Sequence, residues 1–354
     1  MAGTRTCFVT GVRLTTVAGD IPVESLREGD LVVTLVGQER VPQPIVWIGR
    51  RNLDLPANST PHDGAPIRIR RHALADGVPC RDVLLSHDHR VFVGGKLIPA
   101  RLLVNGMTIL PESNLDSVHY FHVELERHAV LLAEGLPVES FLDEAGDRSF
   151  FSNANGPAAL QPTVGTVVRP DAAVLACAPL AMTAAEAEPA WRLITDRARA
   201  LGFLPPHWDT TSEPDLSLIV DGTHMRPVLQ EQNRSVFVLP PATRSLRLAS
   251  RASIPFDLDR TQEDWRRLGV GVTRIVYRAG AEQIEIPADH PSLIRGWHDA
   301  ETDGATVWRW TNGDAHLPLP MPIGAAGATI ELHLSCRATY AVVNEPAQET
   351  RLIA

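Results

Sequence analysis

The chain has 354 residues, 44% of them hydrophobic and 21% charged, with a formal net charge of −9. That length exceeds one ordinary core and predicts two domains. The acidic balance argues against nucleic acid as the main partner, because phosphate binding wants a basic face. No apolar run is long enough for a membrane span, and the start MAGTRTCFVTGVRLTT lacks the apolar core of a signal peptide. The expected location is therefore the cytoplasm by default, with leaderless secretion as the exception. Cys7, Cys80, Cys177 and Cys336 lie far apart with no CxxC pair, so neither a zinc knuckle nor a disulfide framework is expected. No cofactor is expected either.

Residues 7–143 read as many short strands: VRLTT, LVVTLV, PIVWIG, APIRIRR, DVLLS, RVFVGG, MTIL, VHYFHVEL and AVLLAEG. Each is rich in Val, Ile, Leu or aromatics and is bounded by Gly, Pro, Asp or Asn. AGD at 18–20 and EGD at 28–30 read as turns in which Gly supplies a positive φ. Residues 144–180 are rich in Gly, Pro, Asn and Ser and read as a linker that partly packs on the first domain. A helix follows at about 184–201. Its start is either the Thr183/Glu186 capping box or the first turn at Pro189. Trp191, Ile194, Ala198 and Leu201 fall on one face, and Gly202 ends it. Strand patterns return from about 213, interrupted by a short helix expected at 262–268 with Thr261 as cap and Gly269 as stop. The predicted organisation is mainly β: an amino-terminal segment 1–6, an all-β domain 7–150, a linker with one helix 151–212, and a β-sandwich-like domain 213–354.

Cys7 opens the first β body. Taken alone, a free cysteine is more often a small buried hydrophobe than a nucleophile, since its thiolate is the minor form near neutrality. Ser86, His87, Asp88 and His89 stand between apolar runs in LLSHDHRVFV, where a buried strand would carry no such polar cluster without reason. CFVTGVRLTTVAGDIPVESLREGDLVVT and RDVLLSHDHRVFV together resemble the Hint family, the self-processing domains of hedgehog proteins and inteins. The first family block is carried by Cys7, Phe8, Gly19, Val23, Glu24, Leu26, Gly29, Asp30 and Val32. The second, Thr-x-x-His, is Ser86-His87-Asp88-His89, with serine in the threonine position. HVELERHAVLLAEGLPVES (122–140) is similar to the last hairpin of a bacterial subgroup.

The resemblance, over about residues 7–150, implies an all-β horseshoe and a self-directed reaction performed once per molecule. Cys7 would attack the carbonyl of Thr6, converting the Thr6–Cys7 peptide into a thioester. His89 would protonate the leaving amide nitrogen, and Ser86 would hold the scissile peptide. Water, a thiol or another nucleophile would then open the thioester. The partner is thus the chain's own amino-terminal segment. With Met1 as the native start that segment is only Met1–Thr6, which favours the alternative of a non-catalytic Hint-fold scaffold; an upstream extension favours self-cleavage. GLPVES lacks a terminal His-Asn pair, and Asn153 and Asn155 stand in another context, so splicing is not expected. Nothing after 150 resembles a sterol-recognition region.

Two further groups have competing readings. His122, Glu124, Glu126 and His128 would share one face of an unbroken strand, with His119 nearby. That is either a zinc-binding or supporting set or, as composition favours, a solvated strand face. His87 and His89 would point to one side of a strand with Asp88 opposite, and Asp88 would raise an imidazole's pKa if close. In the second domain, Trp297, Trp308 and Trp310 read either as a face for stacking sugar rings of a glycan or surface partner, or as core packing in a half-buried strand.

Overall fold

The computed structural model describes residues 6–37, 39–55, 59–112, 115–142, 148, 151–153, 176–320, 323–324 and 327–342. Most of the expected linker 144–180, Asn155 included, lies outside the described residues. Two compact units divide the chain at Pro206 and His207. No helix among the described residues is long and apolar enough to cross a membrane. The chain is mainly β, with one large sheet in its first unit and further sheets in its second.

Among the described residues the first unit joins twelve strands along one antiparallel path, with Gly19–Pro22 paired to Arg13–Thr16 off it. Its backbone is a long pair: Glu39–Asp54 runs against Ser117–Leu125, from Asp54 opposite Ser117 to Ile45 opposite Leu125. The sequence suggests only PIVWIG as a strand here. Pairing with Ser117–Leu125 at one end and with Leu31–Val36 at the other keeps all sixteen residues extended. Gly19 and Gly29 have φ of +107° and +92°, the left-handed backbone that their turns require.

Trp47, Phe141 and Phe151 form an aromatic cluster that shares its packing with Cys7. Phe151 is held there by its neighbours: Asn153 accepts the Arg50 main-chain N–H at 2.9 Å and donates to the Ile48 carbonyl at 2.7 Å. Gly49 lies beneath this cluster. A Cβ there would stand 2.6 Å from Trp47 Cη2 and 2.7 Å from Phe151 Cδ1. Gly49→Ala is therefore expected to displace Phe151 and destabilise the unit by about 1–3 kcal/mol. Urea unfolding measures this; an unchanged midpoint would show that the ring has room to move.

The helix Ala184–Ala200 starts at Thr183, whose hydroxyl accepts the Glu186 N–H while the Glu186 carboxylate accepts the Thr183 N–H. Pro189 thus sits inside the helix rather than in its first turn, and forgoes one main-chain bond. Ile194 and Ala198 are buried, whereas Leu201 is 44% exposed and lies beyond the buried stripe. The helix, expected in a linker, belongs to the first unit. Trp191 donates to the Val104 carbonyl at 2.7 Å, and Arg197 donates to the His72 carbonyl at 2.7 Å.

The second unit packs a four-stranded sheet and a seven-stranded sheet around one core. Leu218, Val220, Leu246 and Leu248 come from the smaller sheet, and Phe237, Val272, Tyr277, Ile330 and Leu332 from the larger. The helix expected at 262–268 does not form. A single turn at Pro255–Leu258 takes its place, with Pro255 in the first turn. Beyond it Asp259 accepts the Thr261 N–H and Asp264 accepts the Arg266 N–H, short local loops that compete with a helical ladder.

Candidate active site

Strand register assembles the site. The two-residue strand Phe8–Val9 lies between Val83–Leu85 and Ser117–Leu125, with Phe8 opposite both Leu85 and Phe121. One step earlier in the same antiparallel register, Cys7 falls opposite Ser86 on one side and His122 on the other. The contacts follow. The Cys7 N–H donates to Ser86 Oγ at 2.6 Å, and the Ser86 N–H donates to the Cys7 carbonyl at 2.9 Å. Thr6 Oγ1 lies 2.6 Å from His122 Nε2. Both residues of the Thr6–Cys7 peptide are thereby held, one by a hydroxyl and one by an imidazole.

Ser86-His87-Asp88-His89 is a turn, not a strand. The His89 N–H donates to the Ser86 carbonyl at 3.0 Å, which closes the turn and brings its first and fourth residues together. The following segment fixes it, with Ala100 and Arg101 donating to the His89 and His87 carbonyls at 2.9 Å each. This corrects the expectation of His87 and His89 on one strand face. His87 points to Asp88 at 3.2 Å, while His89 turns inward to lie 4.5 Å from the Phe8 ring and 5.2 Å from the His122 ring. Asp88 does not support His89. Burial works against its charge, but His87 and Arg101 outweigh it and hold the carboxyl at about 2.

The electrostatics are those of a dry pocket. Cys7, His89 and His122 are fully buried. Burial pushes the Cys7 thiol well up, against a small opposing pull from the Arg51 guanidinium. Burial also takes His89 down to about 4, although the Glu139 carboxylate and main-chain contacts with Cys7 and Glu139 push the other way. His122 is lowered well below its ordinary value by burial and by the charges of His89, His128 and Arg90. At neutral pH the site thus holds a protonated thiol beside two neutral imidazoles. His89 Nε2 faces the Glu139 carbonyl at 3.2 Å, so it carries the ring proton and Nδ1 keeps a lone pair.

The strand expected to carry His122 through His128 ends at Leu125, after a bulge at Glu124. His122 is buried rather than solvated, and His128 leaves the strand to meet Glu139 at 3.4 Å. Glu124 pairs with Arg148, and His119 is exposed. The residue that sequence reasoning missed is Glu139. It is fully buried, accepts the Arg90 N–H at 2.8 Å and pairs with Arg90 Nη1 at 3.0 Å. Its signal was a carboxylate set in PVESF, a run whose other side chains are apolar or small.

In the second unit, the three tryptophans do not share a face. Arg309 lies opposite Val272, a core residue, and Trp310 lies opposite Gly271. Trp308 and Trp310 therefore point away from the core, half-buried. Trp297, opposite the buried Thr311, packs on the core and donates its indole N–H to the His316 carbonyl at 2.8 Å.

An all-β body with a buried cysteine ahead of its first strand, set against a Ser-x-x-His turn, is the arrangement that the resemblance to the hedgehog/intein class implies. Residues 6–145 match the family model described as "Hint domain", which supports a Hint-type domain over that part of the chain. Among solved structures, the chain is similar to a bacterial intein-like domain from Clostridium thermocellum, with 12% identity over 38% of this chain and 98% of that one, at a TM-score of 0.29. It is also similar to a DnaB intein from Synechocystis, with 8% identity over 39% of this chain and 100% of that one, again at a TM-score of 0.29. No curated protein matches the chain.

Proposed function

We propose that the first unit performs an N-to-S acyl shift at Thr6–Cys7, giving a thioester that water or a thiol then opens. The observation that carries this reading is the hold on the scissile amide: Cys7 N–H on Ser86 Oγ at 2.6 Å, with His89 beside the same main chain. The proton inventory fits. The thiol must lose a proton and the amide nitrogen must gain one, because an amide anion is a very poor leaving group. A neutral His89 takes the thiol proton, becomes an imidazolium in a dry site, and gives that proton to the Cys7 nitrogen. The Cys7 sulfur bonds to the Thr6 carbonyl carbon as the C–N bond breaks, leaving a thioester and a free Cys7 amine. His122 holds the Thr6 hydroxyl on the acyl side.

The test fuses a reporter ahead of Met1 and follows intact mass with and without hydroxylamine or dithiothreitol. Release at Thr6–Cys7 by the parent fusion, absent in Cys7→Ala, is expected. A parent fusion that stays whole under both nucleophiles sinks the reading.

The second unit supports a separate reading, stacking of a sugar ring on the outward Trp308–Trp310 pair. On a glycan array, Trp308→Ala and Trp310→Ala are expected to abolish binding that the parent chain shows. Trp297→Ala is expected to lower stability instead. Binding indifferent to the first two changes would remove this reading.

A further inference from the structure

The two sides of the Thr6–Cys7 peptide are held in different ways. On the Cys7 side the bonds are to main-chain atoms: the N–H donates to Ser86 Oγ at 2.6 Å, and the carbonyl accepts the Ser86 N–H at 2.9 Å. Every residue has a main-chain carbonyl and nearly every one an N–H, so that hold is blind to sequence. On the Thr6 side the bond is to a side chain, with Oγ1 2.6 Å from His122 Nε2. A contact of this kind can tell one residue from another.

The His122 ring is fixed and has few other choices. It is fully buried, with Phe141 edge-on at 5.0 Å, Phe8 edge-on at 6.0 Å and the tilted His89 ring at 5.2 Å between centroids. Gly49 lies opposite it on the neighbouring strand and offers no side chain. Its second nitrogen, Nδ1, is buried and has no hydrogen-bond partner among the described residues. The Thr6 hydroxyl is therefore the ring's one hydrogen-bond partner among those residues. A hydroxyl both donates and accepts, so it satisfies Nε2 in either tautomer of the neutral ring. A residue without one leaves a buried imidazole with no partner, and sites built to bond a hydroxyl discriminate against analogues lacking it for that reason.

We infer that the first unit selects its acyl segment by a β-hydroxyl: it acts on chains with threonine or serine directly before Cys7, and His122 is the residue that reads the hydroxyl. The inference rests on the acyl-shift reading, since it concerns the acyl side of the same peptide. Docking the hydroxyl on a fixed ring holds the Thr6 carbonyl where the Cys7 sulfur can reach it. Without that bond the segment spends less time in the reactive position.

The experiment uses the full-length chain with a reporter fused ahead of Met1, and follows hydroxylamine-induced release for Thr6 and for Thr6→Ser, Thr6→Val and Thr6→Ala. Threonine and valine are both branched at Cβ, and serine and alanine are both unbranched, so within each pair the hydroxyl is what changes. Release is expected to be about tenfold or more faster for the hydroxyl member of each pair. His122→Phe, which keeps a ring without nitrogens, is expected to bring both ratios to about one. Release from Thr6→Val at the parent rate overturns the selection and leaves the acyl shift standing. Ratios that persist in a folded His122→Phe chain overturn the role of His122. If His122→Phe does not fold, the four residues at position 6 decide by themselves. If none of the four fusions releases reporter, the acyl shift fails and the selection fails with it.

Discussion

In a fusion carrying a reporter ahead of Met1, His89→Ala is expected to slow hydroxylamine-induced release by about 10²–10⁴-fold, the usual contribution of a positioned acid–base group. The reason is specific to this pocket. Burial keeps His89 neutral at pH 7, so it can accept the thiol proton that Cys7, itself held protonated by burial, must give up. Removing the imidazole leaves the thiol without a receiver and the leaving nitrogen without a donor. Ser86→Ala acts differently. It strips the acceptor from a buried Cys7 N–H, at a cost of about 1–3 kcal/mol. Rates should therefore fall by roughly ten- to a hundredfold, to the extent that the bond persists in the transition state. Ser86→Thr keeps the hydroxyl and is expected to restore release. Product masses placing the break at Thr6–Cys7 check the assignment. A His89→Ala fusion that releases reporter at the parent rate would remove His89 from the mechanism.

Acid is expected to destabilise the first unit, with a pH window that the buried imidazoles define. An unfolded chain protonates His89 near its ordinary value of about 6.5, whereas the folded chain resists until about 4. Between those values the unfolded state binds more protons, so stability rises with pH across the window and is lost as pH falls through it. His89 alone accounts for roughly 3 kcal/mol over that range. His122, shifted in the same direction, steepens the loss. Thermal unfolding of the full chain at steps between pH 7 and pH 4 measures the slope. His89→Gln, which cannot take up the proton, should flatten it. The same slope in both chains would show that other groups govern acid unfolding.

The all-β character follows from local sequence. Short apolar runs between Gly and Pro specify strands because alternate side chains face one core. Ser86 and His89 are legible because a polar cluster between apolar runs needs a reason to exist, and Cys7 through the resemblance to the Hint family. What the sequence leaves open is decided by non-local pairing. Phe8 between Leu85 and Phe121 fixes the register that sets His122 against Thr6, a meeting across 116 positions that no local pattern encodes. The turn at 86–89 separates His87 from His89, so the expected shared strand face gives way to one ring paired with Asp88 and one packed on Phe8 and His122. Glu139 reads as a polar hairpin end, and only the fold shows it buried between Arg90 and His128. The expected helix at 262–268 fails for the converse reason: local carboxylate loops at Asp259 and Asp264 outcompete a weak helical ladder. Patterning determines which residues are buried; which buried residues touch is set by strand order and register, and the surroundings of Cys7 depend on the second.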